Sequence, residues 1–351
     1  VEISEHHFAS TQPIKSLPGQ PVDVAGVALS VADKRLQQWL YGAPTGQAAL
    51  LWRLLHLRAV LALWMPTLAG VMLGWHSGAV DPLTVTLVLA GNFCMILGMQ
   101  LLNEQRDYQY ALKSNDVKFI PELFATAYHL LAAGQVTPAQ LDRWGYSLLL
   151  ASALAQVGLF LLVGWPVLFF FGITLLFLYA YSTPPIRYSY RGWAVGEVGA
   201  LLGYGLFPLV GGYFMVSQSI SWLPVLVSVP FGLLAVLSVF THNLLHYRRD
   251  WLMRKRTLVV SLGPLRTFDV SAILAILVYA AFLAIASLAH LPLSILVTLA
   301  ALPLALRSFS QLRSEQPPVE DVFRLHLAML HVTLWTGLLF CVALLADKAF
   351  S

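Results

Sequence analysis

The sequence predicts an all-α polytopic membrane protein with nine transmembrane helices, on three observations. Of its 351 residues, 58% are hydrophobic and only 11% are charged, with a mean hydropathy of +0.73, whereas soluble domains carry ~25% charge. In water such a chain would expose large apolar patches. Apolar runs approaching the ~20 residues needed to span ~30 Å of hydrocarbon recur along it. Finally, Lys and Arg alternate from loop to loop as a topology signal does.

The runs read, in order, as Leu57–Trp75, Leu83–Leu102, Tyr146–Gly164, Pro166–Tyr181, Ala194–Met215, Leu223–Leu245, Phe268–Ala289, Pro292–Leu306 and Leu327–Ala346. The fourth and eighth are short, and the boundary within Leu148–Tyr181 is the least defined. Before them, residues 1–45 form a polar arm bearing Pro and Gly, without the apolar core of a cleavable signal peptide. Val31–Tyr41 reads either as a short interfacial helix or as part of a loosely ordered arm. Residues 46–351 form the transmembrane domain.

Charge fixes the expected orientation. Of the 21 Lys and Arg residues, five lie in the arm and the start of the first span. Four, two, six and three follow spans two, four, six and eight; none follows spans one, three, five or seven, and only Lys348 follows the ninth. The positive-inside rule then places the N-terminus in the cytoplasm and the C-terminus outside, in a membrane of the bacterial inner type. The formal net charge of +4 marks topology and contact with anionic lipid headgroups, and it gives no reason to expect nucleic acid. Cys94 and Cys341 both fall inside spans and read as unpaired core residues.

The odd loops are short, and the even loops hold nearly all the ionisable groups, so any chemistry belongs to the cytoplasmic face. Two constellations stand there. Asn103, Glu104 and Asp107 end span two, with spacings of three and four that put them on one helical face. Asn243, His246 and Asp250 end span six, again on one stripe, 140 residues further on. Carboxylates and amides converging from two helices suit Mg²⁺, which takes oxygen ligands and shares them with water and substrate phosphates. The plainer alternative is helix-end polar groups in headgroup water. Arg248, Arg249, Arg254, Lys255 and Arg256 crowd the same face; topology accounts for most, and one or two suit a diphosphate. A third stretch, from Tyr179 to Gly192, carries four tyrosines, two prolines, Arg187 and Arg191. Its tyrosines are either interfacial anchors or the lining of a cleft for an aromatic substrate.

From Leu57 to Ala346 the chain resembles the UbiA superfamily of intramembrane prenyltransferases, most nearly the 1,4-dihydroxy-2-naphthoate polyprenyltransferases of menaquinone synthesis. The likeness is carried by Tyr181-Ser-Thr-Pro-Pro-Ile-Arg187 with Tyr190-Arg-Gly-Trp-Ala-Val-Gly-Glu197. It continues in Asn243-Leu-Leu-His-Tyr-Arg-Arg-Asp250 with Lys255 to Gly263, and more loosely in Leu102–Asp107 and Gly134–Pro138. The resemblance implies nine helices around one cytoplasm-facing cavity and a Mg²⁺-dependent transfer of a polyprenyl group from its diphosphate to an aromatic quinone precursor, in a tunnel open to lipid. It implies Asp107 and Asp250 as catalytic residues, Glu104, Asp107 and Asp250 as metal ligands, and Asn103, Asn243, His246, Lys255, Arg256, Tyr181 and Arg187 as substrate-binding residues.

Three departures bear on this reading. The first acidic motif has Glu104 in place of aspartate and Ala111 where a third carboxylate stands. The second has His246 in place of its first aspartate. His129-Leu130 replaces an Arg-Pro pair before Gly134. The ligands that remain suit one Mg²⁺ better than two, with Asp116 or Glu122 as possible substitutes. A family member recruited as a structural or assembly subunit of a larger respiratory or photosynthetic membrane complex is therefore one alternative. A tail transferase acting on another aromatic acceptor, such as a chlorophyllide, is a second. A transporter fits less well, because ionised groups lie at span ends; Asp269 is one of these.

Overall fold

The computed structural model describes residues 46–112, 130–131, 134–252, 254–288, 291–310 and 317–350. The arm, the Val31–Tyr41 segment, Ala111's side chain, Asp116, Glu122 and His129 lie outside what is described. Every described regular element is helical.

A short helix, α1 (Gln47–Leu55), turns through left-handed His56 into α2 (Leu57–Ser77). Then follow α3 (Pro82–Leu112), α4 (Pro138–Val163) and α5 (Pro166–Ala180). The fifth expected span is α6 (Val195–Ser217), whose middle, Leu201–Leu206, winds as a π-helix. Next come α7 (Leu223–Leu245), the short α8 (Tyr247–Leu252) and α9 (Leu258–Leu262), and α10 (Pro264–Leu288). The eighth expected span begins as a 3-10 run, Leu293–Ala301, and continues as α11 (Leu302–Ser310). α12 (Val319–Phe350) closes the chain. Among the described residues seven helices are long and apolar enough to cross a membrane, and the two short expected spans correspond to shorter apolar helices.

Several helices overrun their hydropathy limits; α4, for one, begins at Pro138, eight residues before Tyr146. α3 continues ten residues past Leu102, so the Asn103–Asp107 stripe is helical, as its spacing requires. α12 begins at Val319 with Glu320 and Asp321 in its first turn, where carboxylates complement the helix dipole. Local chemistry sets the starts. Asp81 Oδ2 accepts from Thr84 N (2.8 Å) and Thr84 Oγ1 (2.7 Å), capping α3. Thr137 and Gln140 form a reciprocal capping box with Pro138 at the first helical position of α4. Gly164, at φ 94°, ends α4 and separates it from α5.

α2 is central and packs on α3, α6, α7 and α12. Small residues permit close approach: a Cβ on Gly70 of α2 would lie 2.1 Å from Leu209 O of α6, and one on Gly205 of α6 would lie 2.4 Å from Gly232 Cα of α7. Phe231, Phe282 and Phe340, with centroids 5.3–6.0 Å apart, join α7, α10 and α12 in a fully buried aromatic cluster. α4 presents Leu150, Leu154, Val157 and Leu161 outward, 56–79% exposed, as one apolar stripe. That face is tolerable against lipid and costly against water. Cys94 and Cys341 are both free thiols.

Candidate functional site

The polar end of α3 meets the segment that follows α7 through side chains, with Lys255 Nζ and Arg249 Nη2 within 4.0 Å of Asp107, while α2 packs against both helices. The Tyr181–Arg191 loop and the segment from His246 to Thr257 complete the site.

Each loop is held by its own backbone. Ser189 donates N–H (3.2 Å) and Oγ–H (2.7 Å) to Tyr181 O, Tyr188 OH donates to Phe177 O at 2.7 Å, and Arg187 N donates to Thr183 O at 3.0 Å. Gly199 makes room, since a Cβ there would lie 2.3 Å from the Tyr188 ring. On the other side α7 ends at Leu245, His246 stands at the junction, and α8 resumes the turn. Asn243, His246 and Asp250 remain together and fully buried across this break. Lys255 N donates to Asp250 O at 2.8 Å, closing the loop and turning the lysine inward. Glu197 ties the two loops, its Oε1 accepting from Leu258 N at 2.9 Å.

At the centre Asp107 receives three groups. Tyr190 OH donates to Oδ1 at 3.0 Å, Lys255 Nζ lies 3.3 Å from Oδ2, and Arg249 Nη2 lies 4.0 Å from Oδ2. Arg249 also directs Nε and Nη2 at Asp250 Oδ1, at 3.0 and 2.9 Å. The two acidic stretches thus share one guanidinium. Lys255, Arg249 and Asp250 are 2%, 4% and 0% exposed, and carboxylates so buried require paired cations. Burial opposes the charge on Lys255, yet Asp107 and Asp250 raise its pKa above the ordinary lysine value. Arg249 is likewise raised, by Asp250 and Asp107, against its burial. Burial first, and Asp107 second, push Tyr190 above the usual phenol range, so it remains a donor.

Arg187, at φ 39°, stacks its guanidinium over Tyr110 (4.1 Å) and Tyr190 (4.0 Å). Tyr181 lies beneath Lys255, with Nζ 5.5 Å from its ring centroid. Arg256, expected with these, stands on the exposed side of its loop beside Gly192 and does not join the buried cluster. Adjacent residues of an irregular segment point apart, and only Lys255 turns in. Glu104 lies in the field of Arg249 and Asp107. Three participants carried no distinct signal in the sequence: Tyr190 as the Asp107 donor, Glu197 as the tie, and Arg249 as the shared cation among five basic neighbours. His242, one turn before His246, stacks 4.6 Å from its ring and 5.7 Å from that of His326.

The donor set can be tested against a metal. Asn103 Oδ1, Asn243 Oδ1 and Asp250 Oδ2 are buried and have no hydrogen-bond partner among the described residues; these are the hard oxygen donors Mg²⁺ prefers. His246 is also without a partner on either ring nitrogen. Burial, with Arg249 nearby, depresses its pKa far below the ordinary value, leaving a neutral imidazole that is a poor Mg²⁺ ligand. Among the described residues no group of three or more His, Cys, Asp or Glu is disposed to hold a metal unaided. The residues fit one Mg²⁺ completed by water and substrate oxygens, and they do not form an all-protein cage.

Residues 63–334 match the model of the UbiA prenyltransferase family. The chain is 28% identical over 176 residues to the 2-carboxy-1,4-naphthoquinone phytyltransferase of Synechocystis sp., covering 50% of this chain and 56% of that protein. The match thus spans little more than half of that relative's length. A UbiA homolog from Archaeoglobus fulgidus, solved bound to GPP and Mg²⁺, superimposes with a TM-score of 0.58 at 15% identity, over 86% of this chain and 99% of that one. A digeranylgeranylglyceryl phosphate synthase structure gives 0.52 at 14% identity, over 85% and 99%. At such identities these likenesses speak for the fold.

Proposed function

Because this chain belongs to the UbiA prenyltransferase family, and is an integral membrane protein, we propose that it transfers a polyprenyl group from its diphosphate to an aromatic quinone precursor of the dihydroxynaphthoate kind. The observation that carries the reading is the meeting of Asp107 and Asp250 around Arg249 and Lys255. Acids and cations from span ends 143 positions apart, buried together, form a site for a charged diphosphate beside apolar helices that suit its tail. The naphthoquinone relative supports the acceptor class, and GPP with Mg²⁺ in the archaeal homolog supports the donor class and the metal.

In this reading Asn103, Asn243, Glu104, Asp107 and Asp250 hold one Mg²⁺, which supplies charge stabilisation to the departing diphosphate. Lys255 and Arg249 offer N–H groups to the same oxygens. As the allylic C–O bond breaks, its electron pair leaves with the diphosphate; a ring carbon of the acceptor supplies the electron pair of the new C–C bond, and the bond from that carbon to its own substituent then breaks, releasing a proton or the carboxylate as CO2 and returning its electron pair to the ring. Tyr190 holds Asp107 in orientation. Arg187 is fixed between two phenol rings, its planar cation suited to the acceptor's carboxylate, while Tyr181 offers a ring face for stacking. The basic loops face the cytoplasm, with the N-terminus there and the C-terminus outside.

The test is transfer of a radiolabelled polyprenyl group to dihydroxynaphthoate in Mg²⁺-containing membranes. Transfer by the wild-type chain, preserved or raised in His246→Asp and Ala111→Asp, supports the reading. No transfer to any quinone-precursor acceptor, with co-purification in a large complex, replaces it with the assembly-subunit alternative.

A further inference from the structure

We propose that Arg249 does the work of a second divalent cation, so that the chain binds a prenyl diphosphate with one Mg²⁺ and one guanidinium. The inference rests on the diphosphate substrate of the preceding section and assigns a role to a residue that the family motif does not supply.

The position of the side chain carries the argument. Arg249 Nη2 lies between the two acidic stretches, 2.9 Å from Asp250 Oδ1 and 4.0 Å from Asp107 Oδ2. A cation bridging the stretches would lie in this same gap. At 4% exposure the guanidinium is shielded from water, so solvent screens it little; Asp250 and Asp107 offset part of its charge, and the remainder acts on what enters. Nε and Nη2 both engage Asp250, which leaves Nη1 for a phosphate oxygen; a planar guanidinium suits such oxygens.

The ligand supply points the same way. Ala111 and His246 stand where the resembling motifs have carboxylates, which implies two fewer anionic ligands than those motifs offer. His246 is fully buried with both ring nitrogens unpartnered. The unpartnered oxygens, Asn103 Oδ1, Asn243 Oδ1 and Asp250 Oδ2, are enough to contribute to one octahedral ion that keeps water and phosphate oxygens. Two fewer carboxylates and one added guanidinium leave the site with electrostatics suited to one divalent ion.

The experiment uses the full chain in detergent, a non-hydrolysable prenyl thiolodiphosphate, and Mn²⁺ as a paramagnetic stand-in for Mg²⁺. Electron paramagnetic resonance should give one bound Mn²⁺ per chain at saturation for wild type and Arg249→Lys, and two for the double variant His246→Asp, Arg249→Gln. Two bound Mn²⁺ in wild type overturns the proposal, and that measurement needs no variant to fold. In EDTA, wild type should still bind the analogue, with Arg249→Lys within about threefold and Arg249→Gln weaker by about tenfold, or ~1.4 kcal/mol. Unchanged affinity in folded Arg249→Gln makes Arg249 a mere counter-ion of Asp250 and also overturns it. If wild type fails to bind the analogue even with Mn²⁺, the proposed function falls and this inference falls with it.

Discussion

Lys255 Nζ lies 3.3 Å from Asp107 Oδ2 although 148 residues separate them. The pair joins the loop after α7 to the last turns of α3, with the lysine buried and the carboxylate nearly so. Each charge offsets the cost of burying the other, and Arg249 and Tyr190 share in holding Asp107. Removing one partner of a buried pair costs ~3–5 kcal/mol where the charge left behind is uncompensated, and less here because Arg249 remains.

Lys255→Met and Asp107→Asn should therefore each lower the thermal midpoint of the detergent-solubilised protein. Each should also reduce prenyl transfer by about 100-fold, the scale seen when one preorganised electrostatic group is lost. The double variant should be little worse than the poorer single one, because both residues act through one unit. Strict multiplication of the two losses would show that they act independently.

Gly70 tests the packing of the central helix. Its Cβ position lies 2.1 Å from Leu209 O, and that obstacle is backbone, which cannot rotate away. Gly70→Ala should force α2 and α6 apart and destabilise by ~1–3 kcal/mol. Gly172→Ala, with nothing within 4 Å of the added methyl, should be close to neutral. Melting temperatures of the two variants in one detergent make the comparison.

Asp81 gives a pH dependence of known sign. Its hydrogen bonds from the Thr84 side chain and backbone hold its pKa below the ordinary value of 3.8. The contribution to the start of α3 is thus fully present above that value and is lost as pH falls through the depressed folded value. Asp81→Asn should remove this acid limb. Protection of the first-turn amides of α3, taken as exchange relative to the intrinsic rate at each pH from 6 down to about 3, should fall in wild type toward the variant's level. A difference between the two that persists undiminished at the acid end would assign the cap no ionic component.

Orientation can be tested by labelling. His76 Nε2 lies 2.9 Å from Asp347 Oδ2, and Lys348 Nζ donates to the carbonyls of Trp75 and Gly78, so the ends of α2 and α12 share one face. In a Cys94→Ala, Cys341→Ala background, cysteines at Ser77 and Phe350 should react with an impermeant thiol reagent on intact cells, and one at Arg254 should not. Labelling at Arg254 would reverse or rearrange the proposed topology.

The sequence by itself determined that the chain is helical and membrane-embedded, and where its apolar runs lie, because hydropathy and loop charge are local and additive along the chain. It also determined the two acidic stripes, since helical periodicity alone puts Asn103, Glu104 and Asp107 on one face. The extent of α3 to Leu112 and the start of α12 at Val319 escaped hydropathy, because a helix continues past the hydrocarbon wherever its caps and hydrogen bonds permit. Only the tertiary structure decided that Lys255 turns inward while Arg256 faces out, that Arg249 is shared by two carboxylates, and that Glu197 and Tyr190 hold the loops. In sequence, a basic residue serving topology and one serving a buried site are the same letter. Which it becomes depends on the charge that packing brings within a few ångströms, where the low dielectric makes pairing decisive.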